Sequence, residues 1–311
     1  MGKRIAIFSA LAGAVLLFGS CAQQGITAKE TLSYYQKAQK LYKKGDYAGA
    51  IQYLNKAQEG LPYLSPKQIM NLKYQLAMAY YKEGKYTDAI LALEDFINNY
   101  PSAPQVEEAY VYLIKAYLKI SPDAWRDPTY TEKAIELAKQ FLKEFPNSPY
   151  RSEVYSLLLE AKKKLVKHYY LIAKFYEDYG YYYPASVWFE YLILNYPDLI
   201  DEYDVLFHYI KNLYLVPRYA EEKISYWRKK YDELKERIAK NEVPDKKAAE
   251  KRLQFYKEQM ERWKEISERS VKAADQNLEL YKEKYGADKY YKLLLKIKKG
   301  EWSQPWIERI L

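Results

Sequence analysis

Glycine, cysteine and histidine are scarce in this chain. Among 311 residues there are 11 glycines, one cysteine and two histidines. So few glycines argue against a loop-rich α/β enzyme, whose tight turns need positive φ. A single cysteine excludes an internal disulfide framework and any cysteine-based zinc or iron–sulfur site. His168 and His208 are too few for a histidine cluster, so no metal and no cofactor is expected. No glycine-rich phosphate loop, HExxH or GxSxG occurs. Asp201-Glu202 with His208 could be offered as an acid/base cluster, but Glu202, six positions before His208, falls on a different helix face. An acidic pair at a helix start plus a surface histidine is the expected reading, and no enzyme activity is expected.

What is abundant is tyrosine, with 37 copies, and charge, with a formal net of +9. The charge is uneven. Residues 22–217 balance at zero, whereas residues 218–311 carry 25 basic and 18 acidic side chains. Those charges alternate in sign along helical sequence, which suits a solvated, salt-bridged helix face and not a nucleic-acid stripe.

At the start, Lys3 and Arg4 precede an apolar and small-residue run from Ile5 to Phe18. As a helix those residues rise only about 21 Å, too short for a hydrocarbon core of ~30 Å. Gly19-Ser20-Cys21 then offers a cleavage site beside the chain's one cysteine. The segment resembles a bacterial lipoprotein signal. The resemblance implies a signal peptide over 1–20, an acylated Cys21 and a lipidated tether over 21–28. It also implies, with Ala22 after the cysteine, outer-membrane retention facing the periplasm.

The body of the chain repeats itself. Gly45-x-Tyr47-x-x-Ala50, Gly84-x-Tyr86-x-x-Ala89 and Gly180-x-Tyr182-x-x-Ala185 share one spacing, and Tyr130-x-x-x-Ala134 is a looser copy. Twelve residues beyond each alanine stands a proline: Pro62, Pro101, Pro146 and Pro197. Alanine permits close helix approach, glycine the tight turn, and proline stops the second helix. This resembles the tetratricopeptide repeat, in which each helical hairpin leaves an apolar face that the next must cover. The expected fold is therefore all-α. Helix pairs are expected over 29–62, 67–101, 105–146 and 153–197, with an insertion at 121–129 in the third. A fifth pair is expected to use 201–216 and to begin its second helix near Tyr219. The repeat superhelix then spans 29–217. A long helical hairpin follows in 218–311, turning at Val243-Pro244-Asp245, with a short helix near 287–299 and a tail carrying Trp302 and Trp306. Apolar stripes are expected at Tyr226, Trp227, Tyr231, Leu234 and Ile238, and at Leu253, Tyr256, Met260, Trp263 and Ser267.

Arg126-Asp127-Pro128, Phe141, Phe145-Pro146-Asn147-Ser148-Pro149-Tyr150 and Tyr196-Pro197-Asp198 together make the chain similar to the BamD family. That resemblance covers roughly residues 30–216; the hairpin is a departure from it. It implies an outer-membrane lipoprotein of the β-barrel assembly machinery that receives unfolded outer-membrane protein clients and docks on the periplasmic domains of a BamA-like barrel. The alternative is another repeat lipoprotein scaffold, such as a secretin pilotin or a peptidoglycan-enzyme adaptor. Counting back from the repeat alanines, the groove-facing positions are Tyr35, Gln39 and Tyr42, then Tyr74, Met78 and Tyr81. Val111, Leu118 and Tyr170 continue the series. Such a wall suits an extended client peptide with aromatic side chains.

Overall fold

The computed structural model describes residues 26–301, and every regular element among them is helical. Ten helices form five antiparallel pairs: α1 (Ala28–Lys43) with α2 (Tyr47–Gln58), α3 (Pro66–Lys82) with α4 (Tyr86–Asn99), and α5 (Val106–Ile120) with α6 (Thr129–Glu144). Next come α7 (Arg151–Asp178) with α8 (Tyr182–Asn195), and α9 (Glu202–Ala239) with α10 (Lys246–Tyr285). A short α11 (Lys289–Lys298) closes the described chain. The first helices also touch one another, α1 to α3, α3 to α5 and α5 to α7, so they line the inner, concave wall. Cys21, the signal segment, Trp302 and Trp306 lie outside the described residues.

The repeat pattern has a direct physical counterpart. Gly45, Gly84 and Gly180 all take φ near +78°, between 77° and 79°. In each case the following amide reaches back five residues, Asp46 to Leu41, Lys85 to Tyr80 and Tyr181 to Tyr176, at 2.8–3.0 Å. That bond closes the first helix and reverses the chain, and a Cβ at the glycine would disfavour it. Ala50, Ala89, Ala134 and Ala185 are fully buried, as are Phe96, Phe141 and Leu192 beyond them. The third pair lacks the glycine and uses the insertion instead. There α6 starts at Thr129, and Asp127 Oδ1 accepts the Thr129 backbone N–H at 2.8 Å and its hydroxyl at 2.5 Å.

The fifth pair differs from expectation. No second helix starts near Tyr219, because α9 runs through Pro217 without a break for 38 residues. The boundary at 217/218 therefore falls inside one helix. Proline removes one helical hydrogen bond, yet the surrounding segment is buried nearly all round, from Val205 through Val216, between α8 and the returning end of α10. Burial on that scale outweighs the lost bond. The second helix of the fifth pair is thus the last part of α10, where Ala274, Leu278 and Tyr281 are buried. The expected hairpin is this same pair extended outward into a two-helix finger.

Asp245 caps α10 by accepting the Ala248 amide at 2.9 Å, as its place in the turn suggested. Trp227 and Tyr256 stack across the finger at 5.6 Å, and Leu234 is buried. Tyr226, expected in the same apolar seam, instead points outward and is 52% exposed. The short α11 docks on the root of α9: Leu294 and Ile297 are buried, and the Phe207 and Tyr290 rings stack at 4.3 Å. No described helix is long and apolar enough to cross a membrane.

Candidate functional site

The concave wall is a ladder of side chains that bridge successive first helices. Gln75 Nε2 donates to Gln39 Oε1 at 3.0 Å and Gln39 donates back, joining α1 to α3. Tyr35 makes a side-chain hydrogen bond with Asn71 across the same gap, and partial burial pushes its phenol up. Between α3 and α5 the Tyr74 hydroxyl donates to Glu108 Oε2 at 2.6 Å. Burial, with the Glu108 carboxylate next, pushes the Tyr74 phenol far above the ordinary tyrosine value. Tyr42 sits in the same cluster, raised to about 12 by burial and then by Tyr47 and Glu108. Tyr81 lies edge-on to Tyr86 at 5.4 Å and to Tyr112 at 4.8 Å.

Five of the six expected groove residues therefore share this wall, half-buried: Tyr35, Gln39, Tyr42, Tyr74 and Tyr81. Met78 does not. It is 3% exposed and belongs to the core between the second and third pairs, so it offers no surface to a peptide. Val111 is 1% exposed and is likewise core. Leu118 packs against that core, half-buried. Tyr170 spends its hydroxyl on Asp204 of α9, at 2.7 Å. The sequence count also passed over Asn71, Gln75, Glu108 and Tyr112. They occupy neighbouring positions on the same first helices, so a register of i and i+4 applied to partners as well as tyrosines would have found them.

A second feature lies at the insertion. Lys164 Nζ donates to the Ser121 carbonyl at 2.8 Å, and His168 Nδ1 lies 2.7 Å from the Ala124 carbonyl, pinning the strap 121–128 to α7. Beside it opens an apolar hollow of about 380 Å³, lined among others by Trp125, Leu171, Phe175, Tyr176 and Trp188. Trp125 is 69% exposed on its rim and Phe175 47%.

A third lies between α7 and α9. Glu177, 1% exposed, receives Asn212 Nδ2 at 2.5 Å, His208 Nδ1 at 2.8 Å, Lys174 at 2.6 Å and Lys211 at 3.2 Å. Burial by itself opposes its charge, but the bond to His208 and the charges of His208, Lys211 and Lys174 outweigh it and hold the carboxyl far below the ordinary carboxylate range. His208 is accordingly no surface histidine. It lies inside a buried polar cluster, stacked on Phe189 at 5.3 Å, and Asp201 serves only as the cap of α9. Among the described residues no group of His, Cys, Asp and Glu could hold a metal ion.

Comparison with known proteins decides the kinship. Residues 27–225, well over half of the chain, match the YfiO family, described as an outer membrane lipoprotein. The chain belongs to the YfiO (BamD) family. A putative outer membrane protein assembly factor BamD from Aquifex aeolicus is 38% identical over 306 residues, covering 97% of this chain and 100% of that protein. The YfiO match ends at residue 225, at the root of the finger, whereas the Aquifex likeness spans nearly the whole chain. Among solved structures, a TPR2AB-domain complex of yeast Sti1 covers 88% of this chain and 98% of its own, at 16% identity and a TM-score of 0.36, too distant to argue from.

Proposed function

We propose that this YfiO-family member is a binding scaffold for outer-membrane protein assembly. Its Cys21 anchors it to the outer membrane, facing the periplasm. The concave wall of the first three pairs receives the aromatic-ended carboxy-terminal segments of unfolded clients, and the fourth and fifth pairs dock on the periplasmic domains of a BamA-like barrel. Support comes chiefly from the wall of Tyr35, Tyr42, Tyr74 and Tyr81, whose half-buried rings present edges and faces at a fixed spacing. Aromatic pairs of this kind contribute ~0.5–1.5 kcal/mol beyond burial. The Aquifex relative's name as an assembly factor agrees with such a role. The apolar hollow between the insertion and α7 is the surface best suited to the barrel partner.

Tyr42→Leu with Tyr81→Leu keeps apolar volume while removing two rings. Binding of a peptide ending in an aromatic β-signal should weaken at least tenfold in a variant whose circular dichroism and cooperative melting show it still folded, with a lowered melting temperature from the lost ring contacts. Unchanged affinity would sink the groove assignment. Affinity purification of the tagged protein from its own outer membrane should bring down a BamA-like barrel; recovery of a secretin ring instead would overturn the scaffold's assignment to barrel assembly.

A further inference from the structure

The finger has one side unlike the others. Along α9 the positions 223, 226, 230, 233 and 237 form a stripe at helical spacing, and along α10 the positions 252, 255, 259 and 262 form another. Trp227 joins the two, its ring 5.0 Å from Tyr226 and 5.7 Å from Phe255. On these stripes stand Lys223, Lys230, Arg237, Arg252 and Arg262, with Glu233 the one carboxylate. Tyr226 and Phe255 stand among the cations, 52% and 46% exposed. The outward sides of the finger mix both signs and carry no exposed aromatic; Lys229 and Lys251 there alternate with Asp232, Glu236 and Glu258.

At its root this side is covered. Tyr219 meets Tyr181 at 6.2 Å and Trp263 meets Tyr183 at 5.8 Å, both partners belonging to the turn into α8 and its start. Further out, no described element lies over Tyr226 or Phe255 except the finger's own neighbours. The α9 stripe from 223 to 237 runs about 21 Å, a length over which a protein needs a long, matching acidic surface. A membrane supplies one without any matching. Cations on long stems around interfacial aromatics are what bilayer headgroup regions attract. A member of an outer membrane lipoprotein family also works at such a surface, where the local concentration of headgroups is high.

We propose that this side of the finger binds anionic phospholipid headgroups of the phosphatidylglycerol type, a membrane contact made by the fifth helix pair and separate from the anchor proposed at Cys21. The proposal goes beyond the scaffold reading and does not depend on client binding.

The test uses the chain from residue 21 with Cys21→Ser, which removes any acyl contribution. It should float with vesicles of phosphatidylethanolamine and phosphatidylglycerol, less so as salt rises, and not with phosphatidylcholine vesicles. The triple variant Lys230→Glu, Arg237→Glu and Arg252→Glu should lose roughly 100-fold or more in vesicle affinity. A control triple on the outward sides, Lys229→Glu, Lys247→Glu and Lys251→Glu, makes the same change in net charge and should lose only a few-fold. Melting curves of both triples check that each remains folded. Equal losses in the two triples would reduce the effect to net charge and overturn the proposal. So would equal binding to phosphatidylcholine, or failure of the parent chain to bind either vesicle. If the parent ignores vesicles while the first triple loses a protein recovered from native membranes, the face is a protein-docking surface and the lipid assignment is wrong.

Discussion

The first three pairs and the last two are joined by different chemistry. Between α1, α3 and α5 the bridges are mostly neutral: two amides, a tyrosine with an asparagine, and a tyrosine hydroxyl on a half-exposed carboxylate. Between α7 and α9 the bridge is a buried carboxylate ringed by His208, Lys211, Lys174 and Asn212. A neutral, half-exposed contact adds little on its own and can be exchanged for contact with a ligand. A buried ion with several partners is weakly stabilising when complete but strongly destabilising when broken, so it holds one arrangement. The amino-terminal wall is therefore free to adapt, and the carboxy-terminal end is held to one geometry.

The sharpest way to break that contrast is Glu177→Gln, which leaves Lys174, Lys211 and His208 facing a neutral amide. Denaturant unfolding at neutral pH should show a loss of about 3 kcal/mol. Because the folded-state carboxyl is held below its unfolded value, its contribution is present above the ordinary carboxylate range and lost as pH falls toward the depressed value. Wild type and variant should converge in acid, and a gap that persists there would contradict the ionic account. Next in size is Pro217→Ala, which restores a donor for the Leu213 carbonyl within α9 and should stabilise by roughly 1–2 kcal/mol. No gain would mean that the helix breaks at that position in solution. Tyr74→Phe should cost about 1 kcal/mol. Since burial raises the Tyr74 phenol above its unfolded value, that loss should hold from neutral pH up to the ordinary tyrosine range and shrink above it, where the unfolded chain ionises first, the opposite direction to the loss at Glu177. Smallest should be Gln39→Ala, about 0.5 kcal/mol or less in the same unfolding assay.

The repeats were legible because their determinants are local. Gly84 at positive φ, Ala89 with no exposed surface and the stop before Pro101 all follow from spacing within one pair. The errors arise where distant chain decides. Pro217 reads as a stop in any local window, and only the cover from α8 and α10 lets the helix continue. His208 reads as a surface residue until Glu177, 31 positions earlier, is brought beside it. Helical counting puts Met78 on the wall, yet it lies in the core, because counting cannot tell the groove from the seam one residue position away. Tyr226 and Trp227 are neighbours in sequence, and only the position of α10 shows which of them the seam takes.

One consequence of the shared α9 concerns the order in which the chain acquires its shape. The first four pairs join residues close in sequence, so each can stack as soon as its own hairpin exists. The fifth cannot. Tyr214 waits for Asp275, 61 residues on, Glu202 for Lys284, 82 on, and Tyr203 for Asp288, 85 on. Until those residues fold back, the apolar belt from Val205 to Val216 has only α8 to cover it. The folding chain thus carries this aggregation-prone surface longest, and the return of its carboxy-terminal segment is what closes it.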